Sequence, residues 1–194
     1  MLYRIATSIC GTFCSIFFGV KVIGKENIPR KGGFILASNH MSNLDPVLLG
    51  CFCYRRINFM AKQELFRNKF FGWLIRQLAA FPVKRGTADL GAIRELLKRV
   101  KGGQGCVIFP EGSRQPEGKL GKAHEGIGFL ASKLGVPVLP ALITGSGTAL
   151  PPGASKLNRV PITIKFGKLI NIDSKMPYQQ IADRIMEEIQ RLSC

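Results

Sequence analysis

The first group of residues that could carry out chemistry is a histidine followed five positions later by an aspartate. His40 and Asp45 lie in the segment NHMSNLDP, residues 39–46. On a continuous helix the two side chains would point about 140° apart, but a turn at His40 before a helix beginning at Asp45 could fold the imidazole back over the helix terminus. The carboxylate could then accept the Nδ1–H of His40, leaving Nε2 free as a general base. The alternative is that His40 is only a turn residue and Asp45 only a helix N-cap.

Two later segments place charged residues directly after short apolar runs. They are FPVKRG, residues 81–86, and FPEGSR, residues 109–114. In the second, Gly112 permits a close approach of the backbone, Glu111 could accept a hydrogen bond from a substrate hydroxyl, and Arg114 could form a bidentate contact with a phosphate. A solvated loop with unrelated charges is the alternative for each segment.

The elements that must position these segments alternate between strands and helices. Strands are predicted at 34–37, 57–61, 80–83, 106–109, 136–143 and 160–166, and helices at 45–54, 62–78, 88–100, 122–134 and 177–192. This alternation predicts an α/β fold, a single layered domain with a largely parallel central sheet flanked by helices. Functional groups in such sheets gather where strands end, which is where the three charged segments stand.

An uncharged segment precedes this domain. Residues 5–20 contain no charge, and Arg4 and Lys21 close the run on both sides. Sixteen helical residues reach roughly 24 Å, short of the ~30 Å hydrocarbon core of a bilayer. We therefore predict a short membrane-associating helix in the segment 1–22, lying in or dipping into one leaflet. A buried core helix is the alternative, and the absence of a small-x-small cleavage site before Lys21 argues against a secretory signal.

The charge balance indicates a polyanionic partner. Lys and Arg number 28 against 12 Asp and Glu, a formal net charge of +16, which suits nucleic acid, anionic lipid or a phosphorylated substrate. Residues 55–85 hold eight basic residues, one acid and six of the large aromatic side chains. That mixture predicts an interfacial helix over 62–78, with an ordinary core helix that has a solvated basic face as the alternative.

The six cysteines are interpreted as small buried hydrophobes. None forms a C-x-x-C pair, and His40 and His124 are the two histidines of the chain, which argues against a structural zinc site. The cysteines mostly stand in apolar runs, as expected in a reducing cytoplasm.

Four blocks together resemble the glycerolipid acyltransferase family in order and spacing. They are NHMSNLDP at 39–46, FPVKR at 81–85, FPEGSR at 109–114 and VPVLPA at 136–141. The likeness runs from about Gly24 to Phe166. Within the family, the chain resembles most specifically the bacterial 1-acyl-sn-glycerol-3-phosphate acyltransferases. It implies that residues 23–194 form an acyltransferase domain.

The resemblance also implies a role for each site residue. His40 would be the catalytic base and Asp45 its orienting partner. The substrate-binding residues would be Glu111 and Gly112 at the glycerol part of the acceptor, Arg85, Arg114 and Lys119 at its phosphate, and Ser113, which keeps the hydroxyl of the commoner threonine. His124 and Glu125 stand where many relatives are basic, which is a departure from the family pattern.

The implied reaction moves a fatty acyl group from acyl-CoA or acyl carrier protein to the sn-2 hydroxyl of lysophosphatidic acid, forming phosphatidic acid in phospholipid biosynthesis. No cofactor and no metal are expected. The expected partners are the two substrates and an anionic membrane surface, at the cytoplasmic face of the cell membrane. Glycerol 3-phosphate or another lysophospholipid is the alternative acceptor. A nucleic-acid-binding module is a distant alternative, since no zinc-finger spacing, RNP-like aromatic pattern or recognition-helix unit is found.

Overall fold

The elements of the chain follow the predicted alternation closely. A computed structural model describes residues 2–84 and 89–193. Its helices are α1 Leu2–Phe18, α2 Asp45–Phe52, α3 Lys69–Gln77, α4 Leu90–Lys101, α5 Glu125–Leu134, α6 Ser146–Ala149 and α7 Tyr178–Arg191. Its strands are β1 Lys21–Ile23, β2 Phe34–Ser38, β3 Ile57–Lys62, β4 Ala80–Val83, β5 Gly105–Ile108, β6 Val138–Thr144 and β7 Thr163–Phe166. Two single 3₁₀ turns occupy Lys25–Asn27 and Gln63–Phe66.

The strands form one sheet in the order β1-β7-β6-β2-β5-β3-β4. All neighbouring pairs are parallel except β6 and β7, which are antiparallel. The prediction of an α/β domain with a largely parallel sheet is therefore confirmed. Because right-handed crossovers place helices on both faces of such a sheet, its central strand β2 is buried along its whole length.

The two faces of the sheet carry separate hydrophobic cores. Successive residues of β2 alternate between them, with Ile35 and Ala37 in the core beneath α4, α5 and α7. Phe34 and Leu36 point into the opposite core, which also contains residues of α1 and α2. Successive side chains of a strand point to opposite faces of the sheet. Because both faces are apolar here, residues 34–37 form a continuous apolar run and the sequence shows no alternation.

The predicted helix over 62–78 is wrong in its first part. Lys62 is the last residue of β3, a 3₁₀ turn follows, and α3 begins only at Lys69. Asn68 marks the boundary because its side chain accepts a hydrogen bond from the Phe71 amide, the geometry of a helix N-cap. The basic and aromatic residues of this stretch are thus spread over a strand, a turn and a shorter helix.

The N-terminal apolar segment forms helix α1, which rests on the domain with one face. Cys14 and Phe18 are buried against the second core, and the helix packs on α2. Ile9 and Ile16 on the other side are 68% and 73% exposed. Within residues 2–84 and 89–193, no helix combines the length and the hydropathy needed to cross a bilayer. The predicted division between residues 22 and 23 falls within β1 and stays a prediction.

Among the described residues three cysteines are buried, as expected for small core residues. Cys10 and Cys51 are half-buried, and Cys194 lies outside the described residues. Cys14, Cys53 and Cys106 are each at most 4% exposed. Burial raises the pKa of the Cys53 thiol to about 11 and that of Cys106 to about 12. At neutral pH these thiols are protonated and therefore poor nucleophiles.

Candidate active site

The predicted site residues that the structure describes follow the carboxyl ends of β2 and β5. These strands are parallel neighbours, with Ala37 paired to Ile108. His40 follows the end of β2 by two residues and Glu111 follows the end of β5 by three. Loops that leave neighbouring parallel strands emerge at the same edge of the sheet, so this topology brings two blocks 71 residues apart into contact.

The residue before His40 fixes the direction in which the chain leaves β2. The Asn39 side chain is fully buried and spans to the backbone of β6. Its Nδ2 donates to the Ile143 carbonyl at 2.9 Å, and its Oδ1 accepts from the Ile143 amide at 2.8 Å. A buried amide satisfied on both sides holds the start of the loop firmly.

One carboxylate oxygen organises the turn that follows. Oδ2 of Asp45 accepts from His40 Nδ1 at 2.8 Å, from the Met41 amide at 2.7 Å and from the Ser42 amide at 2.8 Å. The sequence prediction of an N-cap role is wrong in detail, because Asp45 is the first helical residue and Leu44 occupies the N-cap position. The carboxylate reaches back to the preceding turn instead of forward into its own helix.

The imidazole of His40 is held between this carboxylate and an aromatic ring. It stacks on Phe109, with ring centroids 4.0 Å apart and planes inclined by 17°, and its side chain is 9% exposed. Since Nδ1 faces a carboxylate, the neutral ring carries its proton there and presents the lone pair of Nε2. Within residues 2–84 and 89–193 no protein group hydrogen-bonds to Nε2, so this atom is available to a substrate.

Glu111 ties the two loops together. It is 2% exposed, its Oε2 accepts from the His40 amide at 2.8 Å and its Oε1 from the Gly121 amide at 2.8 Å. Burial raises the pKa of this carboxyl, although the two N–H donors partly oppose the shift. The side chain thus has a structural task beside its predicted contact with the acceptor's glycerol part, and that contact stays a prediction.

The other predicted binding residues that the structure describes stand on the exposed part of the loop after β5. Gly112 has a φ of 64°, and a Cβ there would lie 2.9 Å from the His124 ring, so both conformation and space favour glycine. Ser113, Arg114 and Lys119 are exposed. Arg85, the third cation predicted for a phosphate, lies in 85–88, outside the described residues.

Sequence reasoning missed two residues that support this loop. The Gln115 amide donates to the His40 carbonyl at 2.7 Å. The Glu117 carboxylate accepts from backbone amides that follow β6. Neither belongs to a motif, and the partners of Glu117 stand 28 to 31 residues further along the chain, so no local pattern reveals them.

In chemical terms, His40 and Asp45 form an imidazole with a carboxylate partner. The pair lies at the edge of the sheet, beside the loop after β5 that carries exposed cations. Such a pair can accept a proton from a hydroxyl while the carboxylate stabilises the imidazolium that forms. Ser42, a conceivable nucleophile, is fully buried and donates its hydroxyl to the Leu150 carbonyl at 2.8 Å. The Ser42 hydroxyl is therefore engaged inside the protein and is not presented to a substrate as a nucleophile.

The fold and this site define a class of enzyme. A family model described as Acyltransferase matches residues 19–144, and the chain belongs to that family. The chain is 34% identical to the 1-acyl-sn-glycerol-3-phosphate acyltransferase of Bacillus subtilis (strain 168) over 145 residues, 74% of this chain and 72% of that protein.

Other similar proteins carry related names. The 1-acyl-sn-glycerol-3-phosphate acyltransferase of Pseudomonas aeruginosa is 38% identical over 124 residues, 62% of this chain and 47% of that protein. The crystal structure of the 1-acyl-sn-glycerophosphate (LPA) acyltransferase PlsC from Thermotoga maritima superposes with a TM-score of 0.81 at 27% identity, covering 98% of this chain and 80% of that one. The chain spans about half the length of some relatives, such as the 49% matched in the chloroplastic BAT2 of Brassica napus.

Proposed function

We propose that this protein transfers a fatty acyl group from an acyl thioester to the sn-2 hydroxyl of 1-acyl-sn-glycerol 3-phosphate, yielding phosphatidic acid. The observation that carries the proposal is the hydrogen bond of 2.8 Å between His40 Nδ1 and Asp45 Oδ2, which leaves Nε2 directed away from the carboxylate. The names of the similar proteins support the choice of acceptor.

The proposed reaction begins with proton transfer to His40. Nε2 accepts the proton of the acceptor's sn-2 hydroxyl while the oxygen attacks the thioester carbonyl carbon. The carbonyl becomes a tetrahedral oxyanion, which hydrogen-bond donors or a cation must stabilise. Collapse of this intermediate breaks the carbon–sulfur bond, and the imidazolium returns its proton to the departing thiolate. Asp45 stabilises the imidazolium between these two steps.

The proposed phosphate site is the exposed cationic part of the loop after β5. Arg114 and Lys119 supply its charges, and Arg85, which lies two positions after the end of β4 in the sequence, is proposed as a third cation. A guanidinium matches two phosphate oxygens at once, whereas an ammonium acts as a point charge. Gly112 and Ser113 would let the backbone and a hydroxyl approach the glycerol part, near the buried carboxyl of Glu111.

The first experiment measures thiol release from acyl-CoA in the presence of detergent-dispersed lysophosphatidic acid. We expect release that requires the acceptor and yields phosphatidic acid. Absence of release with acyl-CoA calls for acyl carrier protein as the donor, since the proposal covers both thioesters. Glycerol 3-phosphate and lysophospholipids with larger head groups are assayed in parallel. Turnover confined to one of these would replace the proposed acceptor, and silence with every pair would reject the reaction.

The proposed place of work is a membrane surface. Helix α1 exposes Ile9 and Ile16, and α3 exposes Phe70 and Trp73 among basic residues. Apolar side chains that enter the acyl boundary and cations that meet lipid phosphates are the features of an interfacial helix. The net charge of +16 adds attraction to anionic lipid, and the cytoplasmic face is the proposed side.

Two exposed isoleucines allow this membrane contact to be tested without damage to the core. Deleting α1 would remove the buried Cys14 and Phe18, so we choose the double substitution Ile9→Glu and Ile16→Glu. We expect vesicle binding to weaken at least tenfold, because burying one isoleucine side chain contributes about 1.5–3 kcal/mol. Binding of the unaltered protein should rise with anionic lipid and fall with salt. The measurement is sedimentation with vesicles.

The matched control adds the same two negative charges at other exposed apolar positions. Leu157 and Leu169 are 39% and 41% exposed and lie outside α1 and α3, and replacing both with glutamate should leave vesicle binding within about twofold of normal. Equal loss in both double variants would assign the binding to net charge alone, and no loss in the α1 variant would remove this helix from the interface.

A further inference from the structure

Glu117 makes contacts that the proposed reaction does not use directly. Its Oε1 accepts from the Gly145 amide at 2.9 Å, and its Oε2 accepts from the Gly147 amide at 2.6 Å and the Thr148 amide at 3.2 Å. Three backbone donors on one carboxylate are charge-assisted hydrogen bonds, which are stronger than neutral ones. The loop after β5 is thereby attached to the turn after β6.

The turn whose amides bind Glu117 is closely packed against neighbouring parts of the chain. Gly145 has a φ of 87°, and a Cβ there would lie 2.2 Å from the Pro161 carbonyl oxygen. A Cβ on Gly147 would lie 2.7 Å from Glu117 Oε2. Since β6 is the parallel neighbour of β2, this turn lies at the same edge of the sheet as the loop that carries His40. Glu117 therefore binds a closely packed turn at the edge of the sheet where the candidate base lies.

Three attachments divide the loop of residues 111–121 into short spans. Glu111 ties its start and its end through the His40 and Gly121 amides, Gln115 ties its middle to the His40 carbonyl, and Glu117 ties the stretch between Gln115 and Gly121. The two exposed cations, Arg114 and Lys119, each stand within two residues of Glu117 or Gln115. The attached residues therefore fix the backbone from which each of these two cations extends.

We infer that Glu117 is a positioning residue: its carboxylate clamps the loop after β5 to the turn after β6, so that Arg114 and Lys119 are held ready for the acceptor's phosphate. This inference rests on the proposed function. It concerns substrate binding and not proton transfer, because the imidazole of His40 is held through Asp45 Oδ2, which also binds the amides of residues 41 and 42. The loop of residues 111–121 meets His40 at its backbone amide and carbonyl. The clamp acts on the Michaelis constant through preorganisation of the cations.

The test is the substitution Glu117→Gln. The amide keeps the size of the side chain but removes the charge and turns one acceptor into a donor that faces backbone N–H groups. We expect KM for lysophosphatidic acid to rise at least tenfold, with kcat and the KM for the acyl thioester within about threefold of normal. Glu117→Asp keeps the charge on a shorter side chain and should recover part of the loss. Glu187→Gln, an exposed position on α7, makes the same charge change and should behave as the unaltered protein.

Amide hydrogen exchange measures how well Glu117 protects the backbone amides that donate to it, and it needs no substrate. In Glu117→Gln the amides of Gly145, Gly147 and Thr148 should exchange at least tenfold faster than in the unaltered chain, while Glu187→Gln leaves them unchanged. Unchanged exchange, or faster exchange with an unchanged acceptor KM, would overturn the inference. So would a loss of thermal stability accompanied by equal losses for both substrates. Failure of the unaltered protein to use lysophosphatidic acid would instead count against the proposed function.

Discussion

Replacing His40 with alanine is expected to lower kcat for acyl transfer by about 10²–10⁴-fold, the usual contribution of a general base. The substitution removes Nε2 and with it the proposed acceptor of the hydroxyl proton. The fold should persist, because Asp45 Oδ2 still accepts from the Met41 and Ser42 amides and so keeps the turn closed. The measurement is thiol release under saturating substrates, with circular dichroism melting to verify the fold.

His124 supplies the matched control for this prediction. It is the other histidine of the chain, it is exposed at the N-cap position of α5, and its removal takes away the same functional group. His124→Ala should keep kcat within about threefold of normal. The reverse pattern, with an active His40→Ala enzyme and an inactive His124→Ala enzyme, would move the base to His124. Comparable losses in both variants would leave no single histidine as the base.

The fold was largely predictable because its main strands are continuous apolar runs between turn residues. That pattern needs no knowledge of the partner strand, and it suits strands buried on both faces of a sheet. β1 and α6 were not predicted, since they have three and four residues and too few positions to show a period. The strand β1 exists through its pairing with β7, from Lys21 with Thr163 to Ile23 with Lys165, which no local pattern records.

The excessive length of the predicted helix over 62–78 has a different cause. Apolar and basic residues recur there at intervals that suit a helix, but Lys62 pairs with Val83 of β4, and the 3₁₀ turn Gln63–Phe66 follows it. Sheet pairing therefore overrides the helical pattern at the start of the stretch. Asn68 was a usable signal for the true start of α3, since asparagine is among the best N-cap residues.

The site was predictable where its contacts are local. His40 and Asp45 stand five residues apart, so a single turn can join them, and the hydrogen bond that this turn permits is present at 2.8 Å. The partners of Glu111 and Glu117 depend on which strands are neighbours in the sheet, and sequence reasoning therefore gave Glu111 only a substrate contact and Glu117 none. The residue types in the sequence indicate which groups can react. The order of the strands in the sheet determines which backbone groups bind and position those side chains.

Replacing Asp45 with asparagine should lower kcat by about 5–15-fold and leave KM for both substrates nearly unchanged. The amide oxygen is expected to take the place of Oδ2, because an NH₂ group there would face the Met41 and Ser42 N–H donors. His40 then keeps its tautomer and orientation and loses only the negative charge beside its imidazolium. Hydrogen bonds to charged groups contribute about 1.5–3 kcal/mol against about 0.5–1.5 kcal/mol for neutral ones, and about 1.4 kcal/mol corresponds to tenfold in rate.

Asp45→Ala separates this loss of charge from a loss of geometry. It leaves two backbone N–H groups without their acceptor, at a cost of about 1–3 kcal/mol each if they stay buried, so it should lower both the melting temperature and kcat below those of Asp45→Asn. Asp183→Asn, an exposed position on α7, controls for the change in net charge. Near-normal kcat in Asp45→Asn, measured on a folded protein, would show that the carboxylate charge takes no part in proton transfer. The hydrogen bond to His40 would then serve only to hold the turn.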